Sequence, residues 1–447
     1  MMKNYQLKPV LKSLGLAGLL FAVQPVQAAP AMGLMDIYRL AESHDATLAQ
    51  AYAQYRSDEE SIQAAKGALY PQIAAGGNYS VTDSSIDTVD VHASDISLTL
   101  NQAIYQREAW ARYDQAKYVQ QSSKYALQNT QQDLILRVTE AYFTVLLAQQ
   151  NLSLFKAKEE ADKTQLESAQ ASAEVGLSSR VDVLQAQSSY DLSRSDRINA
   201  ENTLDNSIEQ LAKLIGRSVP SLKSLDMQTA LPKMDWNLDN LQQKAEQQNF
   251  SVKQAESQVR VAEQEVEAQK SGHWPVVSLQ AKWTDANYSD YKAAATYRDS
   301  TQASIGVNVN MPIYSGGTVS SQVSSARYQS EVAKEALRES RDQARLNARL
   351  QGRNLERGIS LISALREAVK SNDAFLEAAE EGYKVGLNNL LEVLTARSNQ
   401  YSARSNLLEA VHNQVLNQLR LDSTLGELDT EDLKRFDALL QAPPIEN

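Results

Sequence analysis

Stretches that alternate apolar and polar residues occur in both halves of the chain, each time as a pair. They are residues 72–81, 96–101, 277–284 and 304–311. A period of two is typical of a β-strand whose two faces meet different surroundings. The sequence therefore predicts two strand hairpins, over 71–105 and 275–313, with about ten residues in each strand. The first hairpin closes through a polar loop over 83–94.

Most of the remaining chain follows the helical period. Residues 107–173 contain neither Pro nor Gly, so one continuous helix there would be about 100 Å long at about 1.5 Å per residue. The predicted helices are two long ones, over 107–173 and 318–383, and shorter ones over 33–68, 180–215, 236–270 and 388–424. Apolar residues step by four and three along narrow seams, which is typical of coiled-coil helices laid side by side.

The chain is a tandem duplication. The segment VGLSSRVDVLQAQSSYDLSRS at 175–195 reappears without a gap as VGLNNLLEVLTARSNQYSARS at 385–405. Each Gly follows a long helical stretch and precedes a new one, as expected of the residue after a helix end. Each half thus reads as two helical struts that rise from a hairpin tip into two strands.

The duplication predicts the division of the chain. Its parts are a first repeat over 29–216 with a tip at 174–181, an equatorial linker over 217–235, a second repeat over 236–425 with a tip at 384–391, and a C-terminal equatorial segment over 426–447. Pro220, Pro232, Pro443 and Pro444 interrupt the helices in the two equatorial segments. We expect these segments to form a belt around the middle of the rods.

The N-terminus carries an export signal. Three Lys residues precede the apolar run 14–23, and the small-residue end at Ala28 fits cleavage after that residue. The run is short for a membrane anchor, so we predict a signal peptide over 1–28. The chain has no Cys, which excludes disulfides and thiolate metal sites.

Signals of catalysis are absent from the sequence. The four His residues match no metal-ligand spacing, and no Gly-rich loop follows a strand and opens a helix. The net charge of -11 argues against nucleic acid as a partner. We therefore predict no enzyme, no catalytic or metal-binding residue and no cofactor.

The strands have the length of a tilted bilayer crossing. Alternation alone more commonly indicates a half-buried sheet of a soluble protein. Because this chain is also predicted to be exported, its strands favour a membrane crossing. No further apolar run approaches about 20 residues, so a membrane crossing would use the strands. Four strands cannot close a barrel, whose smallest membrane form has about 8, so several chains would pool their strands.

The chain resembles the TolC family of outer-membrane efflux channels over its whole predicted mature length. The resemblance rests on the signal, the duplicated hairpins bordered by YPQ and WPV, the IYSGG motif and the paired VGL tips. It implies a mainly α-helical homotrimer with a twelve-stranded β-barrel in the Gram-negative outer membrane and a periplasmic helical tunnel. It also implies a periplasmic adaptor and an inner-membrane pump of the RND, ABC or MFS class as partners.

The resemblance also implies residues for a gate at the tips. Asp182 and Tyr383 match a link that closes the periplasmic end, and Glu392 matches the first of two acidic rings. The second ring falls on Thr395, and Asn388 stands where the family has an Arg. The other hairpin offers Arg180 as a substitute for that Arg. A solvated acid at a helix start is the alternative interpretation of Asp182 and Glu392.

The tips themselves are predicted to dock the adaptor, because they are the distal ends of the rods and are duplicated almost unchanged. Their residues are Val175, Gly176, Leu177, Val385, Gly386 and Leu387. We expect an exit duct for tripartite efflux or type I secretion. An adaptor-like periplasmic coiled coil would lack the amphipathic strand pairs, and a substrate-specific porin would lack the long rods.

Overall fold

A computed structural model of the chain describes residues 31–83, 91–225, 237–289 and 298–441. The predicted signal peptide and parts of both predicted equatorial segments lie outside these residues. The helices are α1 (Leu34–His44), α2 (Ala46–Gly67), α3 (Arg107–Glu174), α4 (Arg180–Ile215), α5 (Leu238–Gln248), α6 (Phe250–Lys270), α7 (Thr318–Lys384), α8 (Leu390–Thr424) and α9 (Thr430–Asp437). The strands are β1 (Gln72–Thr82), β2 (Val91–Tyr105), β3 (Ser224–Leu225), β4 (Val276–Ser289), β5 (Ser300–Asn310) and β6 (Leu440–Gln441).

The four long strands form one antiparallel sheet in the order β1-β2-β4-β5. The central pair β2–β4 joins the two halves of the chain, with Leu98 opposite Trp283. The predicted mainly helical fold with two strand hairpins is confirmed. The predicted loop over 83–94 was too long, because β2 already begins at Val91 and pairs there with Thr82. Polar residues of β2 near this end also pair with β1. A pattern of alternating apolar residues does not reveal them.

Two helices reach the length predicted for the rods. The helix α3 has 68 residues and α7 has 67, so each is about 100 Å long. Neither is interrupted, because α3 lacks Pro and Gly and the Gly residues inside α7 do not break its hydrogen-bond ladder. Among the helices of the described residues, none is both long and apolar enough to cross a membrane.

The two stretches predicted as single helices over 33–68 and 236–270 are each broken once. Asp45 separates α1 from α2 with an extended backbone, and its carboxylate accepts a hydrogen bond from Leu48 N at 2.7 Å. Asn249 separates α5 from α6 and caps α6, since its side-chain oxygen accepts a hydrogen bond from Ser251 N at 2.9 Å. Asp and Asn favour N-caps, where the side chain satisfies a backbone N–H that has no helical partner. The helical period continues across each break, so it gave no sign of the interruption.

The main apolar core lies midway along α3. Tyr142 and Phe143 are fully buried there among residues of α1, α8 and α9. The Tyr142 hydroxyl donates to Lys223 O at 2.8 Å, next to β3, which pairs with β6 from the far end of the chain. The helix α3 also packs against α2, α4 and α6. It therefore holds both halves together, with the sheet at one end and the hairpin tips at the other.

Candidate functional site at the hairpin tips

The first tip closes with a Schellman turn at the end of α3. Leu177 N donates to Ser172 O at 2.8 Å, and Gly176 N donates to Ala173 O at 3.1 Å. These two bonds satisfy carbonyl groups that the helix end leaves without partners. The turn requires a left-handed residue, and Gly176 has φ +77°.

The second tip has the same geometry. Leu387 N donates to Gly382 O at 2.8 Å, and Gly386 N donates to Tyr383 O at 3.1 Å. The φ of Gly386 is +78°. The repeated sequence thus produces the same turn twice.

Each tip exposes two apolar side chains beside its Gly. Val175 and Leu177 are 70% and 84% exposed, and Val385 and Leu387 are 69% and 82% exposed. Isolated apolar side chains are common on protein surfaces, but here two matching pairs stand at the far ends of two rods. Grouped, exposed apolar side chains of this kind are typical of a surface that contacts another protein.

Asp182 belongs to the capping box of α4. Its N–H donates to Ser179 Oγ at 3.1 Å, and Ser179 N donates back to the carboxylate at 2.9 Å. The hydroxyls of Ser179 and Ser178 donate to the same carboxylate at 2.7 and 3.2 Å. These hydrogen bonds, above all that of the Ser179 side chain, lower the pKa of Asp182. The carboxylate is therefore ionised and held by its own turn.

Tyr383 is half-buried on the last turn of α7. It packs against two small apolar clusters that hold the tips together, one shared by α3, α4 and α8 and one between α7 and α8. Within the described part of this single chain, no hydrogen bond joins Tyr383 to Asp182. Their predicted link stays a prediction for the assembled channel.

Asn388 lies against its own hairpin. Its N–H donates to Gly382 O at 3.2 Å. A Cβ at Gly382 would lie 2.6 Å from Asn388 Nδ2, so Gly at that position allows the close approach. Arg180 is exposed at the start of α4.

The two predicted ring positions are both exposed near the start of α8. Glu392 is the third residue of the helix, and its N–H donates to the Asn389 cap at 3.0 Å. Thr395 donates its hydroxyl to Leu391 O at 2.7 Å. They lie about 60° apart around the helix axis, so one surface carries both.

A buried ion pair above the tips was not predicted. The side chains of Arg397 on α8 and Asp162 on α3 are only 10% and 2% exposed. Burial raises the pKa of Asp162, while the charge of Arg397 works in the opposite direction. Asp162 occupies a seam position four residues before Leu166. A charge in an apolar seam was the signal that could have identified it.

Long rods, matched tips and a sheet with exposed apolar residues are the features expected of the outer-membrane channel that the sequence predicts. Comparison with known proteins agrees, since the profile of a family described as outer membrane efflux protein matches residues 37–217 and 241–427. Outer membrane protein TolC of Escherichia coli (strain K12) is 31% identical over 448 residues, covering 98% of this chain and 90% of that protein. Proteases secretion protein PrtF of Dickeya chrysanthemi is 27% identical, covering 94% of each. The Campylobacter jejuni CmeC outer membrane channel shares the fold, with a TM-score of 0.78 at 15% identity over 98% of both chains.

The chain therefore belongs to the outer membrane efflux protein family. Members of this family are channel proteins and not enzymes, and they serve as outer-membrane exit ducts for efflux and type I secretion in Gram-negative bacteria. Such channels work with adaptor proteins and inner-membrane pumps. The predicted function, location and non-enzymatic nature are confirmed. The described residues contain no group of acidic and His side chains placed to hold a metal ion.

Proposed function

We propose that three copies of this chain form a channel whose twelve strands cross the outer membrane and whose helices enclose a periplasmic tunnel. One observation carries the proposal. Within the described residues, the four-stranded sheet leaves β1 and β5 without a partner on their outer sides, and unpaired strand edges are not tolerated in lipid. Ile73 on β1 and Ile305 on β5 are among the exposed apolar residues of these edges.

The predicted division of the chain belongs to this proposal. Residues 1–28 are the signal peptide, 29–216 and 236–425 are the two repeats, and 217–235 and 426–447 supply the equatorial belt. The pairing of β3 with β6 supports a belt built from the two segments. They meet around the core residues of α3.

The hairpin tips are the docking site for the periplasmic adaptor. Val175 and Leu177 on one tip and Val385 and Leu387 on the other offer exposed apolar side chains on a fixed turn. A rigid turn lowers the conformational entropy lost on binding. The adaptor would connect the channel to an inner-membrane pump that supplies small molecules or polypeptides. The name of the Dickeya chrysanthemi relative, a proteases secretion protein, supports polypeptides as one class of cargo.

The pore narrows where α8 begins in each copy. Three Glu392 carboxylates would face one another, and Thr395 would form an uncharged ring beside them. Asp182, Tyr383 and Arg180 supply contacts between neighbouring hairpins that hold the entrance closed. Because Asn388 lies against its own Gly382, it does not replace the charged link that the family's Arg makes.

The experiment is a planar-bilayer recording of the purified channel. Carboxylates crowded in a narrow pore favour cations as partners, so wild-type channels should be cation-selective and blocked by multivalent cations. Glu392→Gln should reduce cation selectivity and weaken that block about tenfold or more. The control is Glu381→Gln, which removes an exposed acid of the same tip that already pairs with Lys384 at 2.7 Å.

Loss of selectivity in Glu392→Gln alone supports the ring at the entrance. Equal effects of the two variants would indicate only the general negative charge of the tips. Absence of any conductance from wild-type protein would contradict the channel itself.

A further inference from the structure

A buried charge cluster joins the two hairpins just above their tips. Arg397 Nη1 lies 3.4 Å from Asp162 Oδ1 and donates to Ala161 O at 3.1 Å, both on α3. Its Nη2 donates to Glu380 Oε1 on α7 at 2.8 Å. One guanidinium therefore connects the second hairpin to the first and also ties α7 to α8.

The contact between Arg397 and Asp162 has little access to water, whereas the Glu380 side chain is 40% exposed. The second carboxylate oxygen of Asp162 is buried and accepts no hydrogen bond from the described residues. Beneath it lies the apolar cluster of Leu166, Leu390 and Leu394, also shared by α3 and α8. Without Arg397, Asp162 would keep only the weaker influence of Lys158 and Ser193, and its buried charge would favour protonation or opening of the contact.

The position of Arg397 on α8 relates it to the channel entrance. Glu392 and Thr395 lie about 60° apart around the helix, and Arg397 lies about 140–160° from each. The anchored face of α8 is thus opposite the face that carries the two ring positions. A rotation of α8 would move Arg397 off Asp162 and turn Glu392 and Thr395 at the same time.

We propose that Arg397 is a positioning residue of the channel entrance: by holding α8 against Asp162 and Ala161 of α3, it sets the rotation at which Glu392 and Thr395 face the pore. This rests on the proposed function of those two positions. Arg397 acts through α8 and does not itself touch the cargo. The closed entrance is then held within each chain as well as between neighbouring chains.

Two other arginines of α8 provide matched controls. Arg420 pairs with Glu140 of α3 between the same two helices, but both side chains are 40% or more exposed and the pair lies at the equatorial end. Arg404 pairs with Asp373 of α7 at 2.9 Å within the second hairpin. Exposed pairs contribute little to stability, because water solvates either partner when the other is lost.

The test compares Arg397→Met and Asp162→Asn with Arg420→Met and Arg404→Met in planar bilayers. We expect Arg397→Met and Asp162→Asn to raise the open fraction of the resting channel about tenfold or more and to reduce its cation selectivity. Asp162→Asn keeps the shape of the side chain, so this variant still tests the proposal if Arg397→Met does not assemble. The two control variants should keep the wild-type open fraction and reversal potential.

The double variant Arg397→Met with Asp162→Leu removes both charges from the contact. Because an apolar pair of similar volume often replaces a buried ion pair without loss of stability, its open fraction should be no higher than that of Arg397→Met alone. Additive effects would show that the two side chains act separately and would overturn the proposal. It would also be overturned if Arg397→Met and Asp162→Asn behaved as wild type, or if the controls opened equally. Failure of the wild-type protein to conduct would instead contradict the proposed channel function.

Discussion

Asp422 is a single carboxyl whose burial affects stability. It lies in the last turn of α8, where its backbone carbonyl accepts a hydrogen bond from Glu427 N at 2.9 Å. Its carboxylate accepts a hydrogen bond from Gln418 Nε2 at 3.1 Å. Burial raises the pKa of Asp422 to about 6, and the nearby Asp432 contributes in the same direction. The folded state therefore favours the protonated form of this group more than the unfolded state does.

The sign of the pH effect follows from linkage. Asp422 contributes stability at a pH below its ordinary pKa of 3.8. This contribution is lost as the pH rises through the folded-state pKa of about 6. Asp422→Asn should thus stabilise the helical region by about 2 kcal/mol at about pH 7.5 and by close to nothing at about pH 4. Thermal unfolding followed by circular dichroism at the two pH values measures this difference.

The control for Asp422 is Asp205→Asn, which changes an exposed carboxyl on α4. As a surface change, it should leave the free energy of unfolding within about 0.5 kcal/mol of wild type. A stabilisation by Asp422→Asn that is the same at both pH values would show that its effect is packing and not ionisation.

Among the site residues, sequence reasoning located those whose role follows from local pattern. Gly176 and Gly386 were identified because a helix end followed by a new helix requires a left-handed residue. The partners of Arg397 could not be predicted in this way. Asp162 on α3 is 235 residues away in sequence and Glu380 on α7 lies across the hairpin tip, so the contact depends on how three helices pack. The burial of Asp162 is likewise a property of that packing.

The tip turn is the element that most directly tests docking. A β-branched residue at the left-handed φ of Gly176 or Gly386 costs about 1–2 kcal/mol, and nothing within 4 Å of either position would collide with the added side chain. The turn should therefore change shape while the helices and sheet still form. We expect Gly386→Val, and more strongly the double variant with Gly176→Val, to abolish export while trimers still reach the outer membrane.

Minimum inhibitory concentrations of efflux substrates in a host that lacks the native channel measure this loss. The control is Gly67→Ala near the end of α2, where an added Cβ meets no atom within 4 Å and φ is not positive. Wild-type resistance in the double variant would exclude the tip turns as the docking site.

The elements themselves were predictable to different degrees. The ends of α3 and α4 were found to within a residue, because a Gly after each helix marks its end. The breaks at Asp45 and Asn249 were missed, because one capping residue interrupts a helix without disturbing its apolar period. The Asp45 carboxylate also accepts a hydrogen bond from Arg137 Nη1 of α3 at 2.7 Å. A contact between distant parts of the chain therefore supports that break.

The sheet sets the direction in which copies can join. Successive strands of the order β1-β2-β4-β5 are antiparallel, so the outer strands β1 and β5 run in opposite directions. When β5 of one copy meets β1 of the next, the new seam is antiparallel like the others. A ring built in this way has no free edge, whatever its number of copies.

The absence of Cys makes the number of copies in the ring measurable. We would place single Cys residues along β1 from Ala75 to Tyr79 and combine each with Ile305→Cys in β5. A closed ring of three should give covalent dimers and trimers on a non-reducing gel after oxidation, with no larger species, because no free edge remains. Cys at Ser97 and Thr284, which are direct partners in β2 and β4, should form a bridge within one chain and no ladder. Products that stop at the dimer or continue past the trimer would rule out a three-copy barrel.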